Sequence, residues 1–373
     1  MSTAKFILGY TVIIMIFTVA CNEKTIQELD YSATPYPIKT GYDGTNFYFN
    51  YTIQNTDTGE FIYYYDNMMK RISIVDFENR EIIDHIPLND DKYDIRGVAE
   101  IIFSDTSMIL RNINKFYWVN KEGRVNEYMD TKIFGNVEFH NNTPFKASYR
   151  TSFQQYVAGS GEMIYFLAFP SNYDQAFFET PIISKIFFKD EKVVHSKEPN
   201  PALNYKEDEE TFGFASRPFI FNIHDEVYVT FPFTPDIYIY DFETLDLKRK
   251  IKLSDYNELT NNKPITIAKF NELYESNADS PLDRESYHHN LFYDPFRELF
   301  YRPVARELLE HEEEIDYKLW LLVFDKELNL TGKLDLKDDF SPFLYISKKG
   351  LFIRKKKQQE NRIDLHRLDF ALP

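Results

Sequence analysis

The chain has 373 residues, and 59 acidic against 43 basic residues give it a net charge of −16. This charge argues against nucleic acid as a partner, because phosphate binding needs a positive surface. A single cysteine excludes a disulfide framework, so the fold must be stabilised by burial alone, which a chain of this length allows.

The N-terminus has the pattern of a bacterial export signal. Lys5 supplies a positive start, and residues 6–19 form an apolar run of signal-peptide length, too short to span a bilayer comfortably. The run ends in TVAC, which resembles the lipobox of bacterial lipoproteins, although that motif prefers Leu where Thr18 stands. The resemblance implies fatty acylation (palmitate) of Cys21, and Asn22 in place of a retaining Asp implies a lipid-anchored protein of the outer membrane, facing either the periplasm or the outside.

Two alternatives remain for this segment: an ordinary signal peptide followed by a chance cysteine, or an uncleaved N-terminal anchor. With lipidation, the chain divides into a signal peptide (1–20), a lipid-anchored tether and closing strand (21–40) and one folded domain (41–373). We find no low-complexity linker that would split the last part.

The main structural signal is a repeat. Residues 72–88 (ISIVDFENREIIDHIPL) align without gaps to 237–253 (IYIYDFETLDLKRKIKL), and a looser copy occupies 320–336. Each copy alternates apolar and polar residues, as a strand with one buried face does, and turns at Asp76, Asp241 or Asp325. An Asp side chain starts a turn by accepting from backbone N–H groups two residues on. One hairpin cannot bury its apolar face alone, so repeated copies predict an all-β, six-bladed β-propeller.

Strand patterns taken in chain order fill six blades, each with up to four strands. The predicted blades are 46–50, 61–65, 71–76, 82–88; then 98–103, 107–111, 116–120, 125–130; then 152–158, 163–169, 182–188, 192–195; then 218–223, 226–231, 237–241, 247–253; then 289–293, 298–303, 319–324, 330–336; and finally 343–347, 351–354, 362–370. The last blade lacks an outer strand, so we expect the early segment 25–32 to supply it and close the ring.

Two insertions, 197–213 and 254–288, interrupt this rhythm. Both connect the last strand of one blade to the first strand of the next, so they are expected on the same face, where loops on a rigid scaffold carry function. In the second insertion Pro264 is predicted to open a short helix with Ile267, Phe270 and Tyr274 on one side.

Motifs for nucleotide binding, for a nucleophilic serine and for zinc are absent from the sequence, and we predict no cofactor. The adjacent His288 and His289 would point to opposite sides of a strand, which disfavours a shared metal. The acidic runs 89–94 and 310–314 are interpreted as solvated, because the first lacks the Gly and terminal Glu of an EF-hand loop.

One pattern does suggest a binding site. An arginine precedes the innermost strand of several predicted blades, at Arg96, Arg150, Arg217 and Arg284. Innermost strands line the channel of a propeller, so these side chains would meet at one mouth and bind a carboxylate, sulfate or phosphate. Further candidates near this mouth are Tyr93, His140, Tyr287 and His288. The alternative is that each arginine pairs with a local acid, such as Asp94 or Asp283, and holds blades together.

The lipobox-like start, the aromatic-rich hairpins and the D-F-E turn resemble a family of Bacteroidota lipoproteins defined as a domain of unknown function and similar to six-bladed propellers. The resemblance covers nearly the whole mature chain, and it implies a cell-envelope module that binds a ligand or a protein. The main alternative is an enzyme acting on glycans or sugar acids, a lyase or hydrolase, with its site at the channel mouth. A structural subunit of an envelope complex is the third possibility.

Overall fold

The computed structural model describes the chain in segments. The described residues are 25–39, 51–56, 58–66, 69–88, 92–93, 95, 98, 100–103, 108–112, 115–130, 136–139, 143–146, 157–158, 163–166, 183–187, 192–197, 210–212, 218–256, 258–259, 263–266, 268–269, 272, 286–311, 314–336, 339–359 and 362–372.

The fold is all-β and is built from consecutive antiparallel meanders, as in β-propellers. The first meander contains β2 (Tyr51–Thr56), β3 (Gly59–Asp66), β4 (Arg71–Asp76) and β5 (Glu81–Pro87). The second contains β6 (Glu100–Phe103), β7 (Met108–Asn112), β8 (Lys115–Val119) and β9 (Val125–Asp130), and a separate hairpin, β10 (Asn136–Phe139) and β11 (Thr143–Lys146), follows it. The third contains β12 (Val157–Ala158), β13 (Met163–Phe166), β14 (Ser184–Phe187) and β15 (Lys192–His195).

The second half of the chain repeats this plan. The fourth meander contains β17 (Phe219–Ile223), β18 (Glu226–Phe231), β19 (Thr234–Asp241) and β20 (Leu247–Ile251). The fifth contains β22 (Ser286–His288) and β23 (Phe292–Asp294), which both pair with β24 (Leu299–His311), then β25 (Glu314–Phe324) and β26 (Leu330–Leu336). The sixth contains β27 (Phe340–Ser347), β28 (Gly350–Lys355) and β29 (Arg362–Phe370).

The sixth meander takes its fourth strand from the beginning of the chain. Strand β1 (Tyr31–Lys39) pairs antiparallel with β29 along its whole length, and Lys39 then meets Glu81 of β5, which joins the sixth and first meanders into one eight-stranded sheet. The prediction that an early segment supplies this strand is confirmed, but its position at 25–32 is wrong. Pro35 and Pro37 hid the true strand, because proline is tolerated only at an edge or bulge, and β1 is such an outer strand.

The aspartates of the repeat act as the sequence predicts. Asp76 Oδ1 accepts hydrogen bonds from the backbone N–H groups of Glu78 and Asn79 at 2.8 and 2.9 Å. Asp241 Oδ1 accepts from Glu243 and Thr244, both at 2.9 Å, and Asp325 Oδ1 accepts from Glu327 at 3.0 Å and Asn329 at 2.8 Å. These carboxylates hold hairpin turns together, which explains why the same residue recurs at this position.

The repeated turn also connects neighbouring meanders through one carbonyl. The Phe77 carbonyl accepts from Tyr36 Oη of β1 at 2.7 Å. At the equivalent position, the Phe242 carbonyl accepts from Lys185 Nζ of β14 at 3.0 Å, and the Lys185 side chain is fully buried. The turn therefore has two roles, since it ends a hairpin and also docks the preceding meander.

Apolar cores fill the spaces between meanders. Ile237 and Phe221 of the fourth meander share a core with Leu322 of the fifth, while Leu321 on the opposite side of β25 packs with Leu351 of the sixth. Between the sixth and first meanders the rings of Tyr36, Phe77 and Phe352 form a cluster whose centroids lie 4.8–5.2 Å apart. We call this cluster, with the β1–β29 pairing, the closing junction.

The two insertions pair with each other. Strand β16 (Glu210–Thr211) of the first insertion and β21 (Ile265–Thr266) of the second form a small antiparallel sheet, which we call the inserted sheet. Pro264 opens no helix, because β21 follows it directly. The helical residues Ala268, Lys269 and Glu272 come later, and Thr266 Oγ1 accepts from the Lys269 N–H at 3.2 Å as an N-terminal cap.

Candidate functional site

The candidate site lies where the inner edge of the fifth meander meets the β18–β19 turn of the fourth. The inner strand is interrupted here, with β22 ending at His288 and β23 starting at Phe292. At the interruption the His288 N–H donates to the Pro232 carbonyl at 3.1 Å, and the His289 N–H donates to the Pro303 carbonyl at 2.9 Å. The chain thus leaves the regular ladder in order to reach the neighbouring meander.

Arg302 of β24 is the centre of this region and is fully buried. Its Nε donates to the His289 carbonyl at 3.0 Å, and one Nη donates to the Phe231 and Thr234 carbonyls at 3.0 and 3.1 Å. Its other Nη donates to the Pro235 carbonyl. One guanidinium therefore binds four main-chain carbonyls on two meanders, an arrangement we call the arginine junction. Its planar fork of donors suits this task, and the ammonium of a lysine would not.

The charge of Arg302 persists at neutral pH. Burial lowers the pKa of its guanidinium to about 9, and the negative charge of nearby Asp236 opposes that shift. The Asp236 carboxylate accepts from Lys250 Nζ at 2.8 Å and from the backbone N–H groups of Leu253 and Ser254 at 2.9 and 3.0 Å. Burial works against its ionisation, but these hydrogen bonds prevail and lower the pKa of Asp236. The junction thus combines one buried cation, held by four carbonyls, with a nearby carboxylate that is held ionised by its own hydrogen bonds.

Aromatic rings surround the junction. The ring of Tyr287 lies 4.6 Å from that of His289 and 6.3 Å from that of Phe219 on β17, the inner strand of the fourth meander. Phe233 in the β18–β19 turn stacks on Phe212, which follows β16 of the inserted sheet, at 4.1 Å and 15°. The insertions, the turn and both inner strands thus meet at one place.

His289 is a neutral histidine at this place. Desolvation lowers the pKa of its imidazole to about 3, and the Arg302 charge adds to that effect. His289 as a residue is nevertheless only partly buried, as are Tyr287 and Phe219. These three residues therefore share a partly exposed surface between the two inner strands.

The structure places the predicted site residues in different parts of the molecule. Tyr287 and His288 lie in this region, with His288 buried opposite Val304 of β24. Tyr93 packs instead against the core between the first and second meanders, 6.2 Å from the ring of Tyr117. The remaining predicted residues lie outside the described part of the chain, so their roles stay predictions: Arg96, Arg150, Arg217, Arg284, His140 and the lipidation site Cys21.

Sequence reasoning missed Arg302. The available signal was a charged residue within the apolar run LFYRPVA, since a buried charge is the informative exception in a strand. Among the described residues no group of three or more His, Cys, Asp or Glu side chains is placed to hold a metal ion. No helix in the described segments is long and apolar enough to cross a membrane.

The chain is similar to several solved structures. The chain is similar to a member of the DUF4221 family from Bacteroides vulgatus, with a TM-score of 0.69 and 13% identity over 94% of this chain and 100% of that one. It is also similar to a putative exported protein from Bacteroides fragilis, with a TM-score of 0.50 and 9% identity over 93% and 99% of the two chains. The β-propeller domain of Cps50 (Swd1) from Myceliophteria thermophila follows, with a TM-score of 0.42 and 9% identity over 91% and 99%.

Among curated proteins, none matches this sequence. The model of the family described as "Domain of unknown function (DUF4221)" matches residues 38–333, which is most of the chain and includes the arginine junction. The predicted membership of a propeller-like family of unknown function is therefore confirmed: the chain belongs to the DUF4221 family.

Proposed function

We propose that the protein is a lipid-anchored module of the outer membrane whose β-propeller binds a ligand or a protein partner. In this proposal the six meanders are blades arranged in a ring, and the β1–β29 pairing closes it. The pairing of β1 with β29 supports closure, because the last meander takes its outer strand from the beginning of the chain, and that strand also meets β5 at Lys39 and Glu81.

The observation that carries the binding role is the group of partly exposed rings Phe219, Tyr287 and His289 between two inner strands. Aromatic faces with a few convergent polar groups are typical of ligand sites, and they suit the flat faces of sugar rings. The inserted sheet reaches the neighbouring β18–β19 turn through the Phe212–Phe233 stack, so the two insertions lie near this group of rings. We call the side of the molecule that carries them the insertion face.

An anionic ligand is the chemistry that this site would favour. Arg217 precedes Phe219 by two residues and Arg284 precedes Tyr287 by three, so we keep both as the cations of the site. In a protein with a net charge of −16, bidentate arginine contacts would select carboxylate or sulfate groups. Uronic-acid and sulfated glycans combine such groups with sugar faces for the rings.

The burial of His289 disfavours this residue as a catalytic base. A general base works best when its pKa is near the operating pH. With a pKa of about 3, His289 is neutral at pH 7 and accepts a proton only weakly. We therefore place the sugar-acid lyase or hydrolase second, and this alternative would need its base among residues other than His289.

Titration calorimetry with a uronic-acid oligosaccharide and a sulfated oligosaccharide tests the proposal. Two variants should each weaken binding at least about tenfold, the equivalent of roughly 1.4 kcal/mol. One is Tyr287→Ala, and the other is the double variant Arg217→Gln/Arg284→Gln. Arg249→Gln is the matched control, because Arg249 is an exposed arginine on the outer strand β20 and should leave affinity unchanged. Equal affinity of all four proteins would reject the site, and turnover of the oligosaccharide would favour the enzyme.

A further inference from the structure

The first described residues of the chain are fixed to the fifth meander before β1 begins. The Leu29 N–H donates to the Lys333 carbonyl, and the Lys333 N–H donates to the Gln27 carbonyl, both at 2.8 Å. Glu28 thereby forms a parallel bridge with Lys333 of β26. Residues 27–29 cover the outer edge of the fifth meander, which also protects that edge from pairing with another chain.

Two apolar side chains secure this segment on opposite sides of the meander. Ile26 is buried in the core shared by the fourth and fifth meanders, and Leu29 is buried in the core shared by the fifth and sixth. Gly332 makes the close approach possible: a Cβ there would lie 2.7 Å from Leu29 Cγ and 2.9 Å from the Gln27 carbonyl oxygen. The segment is therefore an integral part of the domain.

A carboxylate from the second insertion adds a polar clamp. Glu258 accepts from the Ile26 N–H at 3.0 Å and forms an ion pair with Lys333. The Glu258 carbonyl accepts from Arg306 of β24 at 2.7 Å, and the Arg306 and Lys333 cations both lie over the ring of Trp320, at 4.3 and 3.9 Å. Segment, insertion and meander are thus held together at one point of the outer rim.

This fixation leaves little chain for a tether. Five residue steps separate Cys21 from Ile26, and an extended chain spans at most about 3.3–3.6 Å per step, so the reach is about 17 Å. A globular domain of this length has a radius of gyration of about 20 Å. The reach is less than half the width of the domain, so an anchor at Cys21 cannot allow every side of the domain to approach the membrane equally.

We infer that the outer rim of the fifth meander, where residues 26–29 are clamped, is the surface held against the lipid bilayer, and that the second meander is held away from it. The inference rests on the proposed acylation of Cys21. It assigns the lipid surface as the partner of this rim, and it means that the site at the inner strands is presented at a fixed angle to the membrane.

Energy transfer from the protein to a lipid-headgroup acceptor tests this orientation. Cys21 is the only cysteine, and acylation consumes its thiol, so one introduced cysteine gives a unique dye position. Asp335→Cys on β26 and Glu127→Cys on β9 are a matched pair, because both replace exposed acidic residues on outer strands of opposite meanders in the proposed ring. The rims of the fifth and second meanders should lie on the order of 40–50 Å apart. In vesicles carrying the acylated protein, energy transfer from a dye at position 335 should therefore be about threefold higher than from a dye at position 127.

Adding Gly332→Ala to each of the two cysteine variants tests the clamp. The substitution should displace residues 26–29 and so lengthen the tether. The energy-transfer efficiencies from positions 335 and 127 should then become similar. Glu258→Ala provides a second route to the same result if the first variant folds poorly, and Lys326→Ala, exposed in the β25–β26 turn, is the control that should change nothing. Equal transfer from both positions in protein that floats with vesicles would overturn the orientation alone. Protein that fails to float would overturn the proposed anchor and the orientation with it.

Discussion

The closing junction and the arginine junction connect neighbouring meanders by opposite means. The closing junction combines a nine-residue β1–β29 ladder with three packed rings and one hydroxyl–carbonyl hydrogen bond. The arginine junction places one buried cation among four carbonyls. Apolar contacts tolerate small shifts, whereas a buried charge loses its compensation when one partner is missing. The comparison suggests that stability is concentrated on a single side chain at the candidate site, whereas it is distributed over many contacts where the sixth and first meanders meet.

Arg302→Met should have the largest effect. It removes the donor for four buried carbonyls, and losing one partner of a buried charged network costs about 3–5 kcal/mol. Urea unfolding followed by circular dichroism measures the loss. Arg249→Met, at an exposed position on β20, is the control and should change stability by less than about 0.5 kcal/mol. A similar small loss for Arg302→Met would mean that the junction is dispensable.

Tyr36→Ala should weaken the closing junction by about 3 kcal/mol, because it leaves a cavity between Phe77 and Phe352. Tyr36→Phe keeps the ring and loses only the hydrogen bond to the Phe77 carbonyl, so it should cost about 1 kcal/mol. The same unfolding measurement distinguishes the two. If Tyr36→Phe were as harmful as Tyr36→Ala, the junction would depend on its one hydrogen bond and would resemble the arginine junction.

The pH dependence of the free energy of unfolding should show that His289 is buried in its neutral form. Its folded pKa of about 3 lies below the ordinary value of 6.5, so between these values the unfolded chain binds the extra proton and stability falls as the pH falls. The expected slope is about 1 kcal/mol per pH unit, slightly below the limit of about 1.4, because the residue is only partly buried. His289→Gln should lack this component, so the difference between the two curves should grow from pH 6 to pH 4. Parallel curves would contradict the neutral, desolvated ring.

Asp241→Ala should have the smallest effect, because it removes the acceptor of two exposed turn N–H groups while leaving the Phe242 carbonyl available to Lys185. Thermal unfolding measures it, and Asp225→Ala, an exposed acid in the β17–β18 turn, is the control. A loss comparable to that of Arg302→Met would show that the turn positions Lys185 as well as forming the hairpin.

Sequence patterns predicted the regular meanders well. Alternation located β17–β20 and β25–β26 within a few residues, because each strand has one buried face and the turn aspartates mark the ends. Strand β1 was placed too early, at 25–32, because Pro35 and Pro37 are unfavourable in most strands and acceptable only in an outer one. That information depends on sheet order, which the local sequence does not contain.

The site was less predictable for a related reason. Tyr287 and His288 were selected because they lie close to an inner strand, and the structure pairs them with Ala305 and Val304 of β24, the strand that carries Arg302. Nothing in the sequence relates Arg302 to the carbonyls of residues 231–235, because Phe231 lies 71 positions before it. Long-range pairing of a charge with main-chain groups leaves no periodic signal, and only the assembled meanders bring the partners together.

Amide hydrogen exchange across β1 and β29 is the most direct test of the closed ring on which the proposed function depends. Closure by the ladder predicts that the amides of Tyr31–Lys39 that donate to β29 are protected as strongly as those of β29 and lose protection together with them in denaturant. Exchange of β1 at the rate of a free peptide, with β29 still protected by β28, would show that the ring is open and would contradict the account.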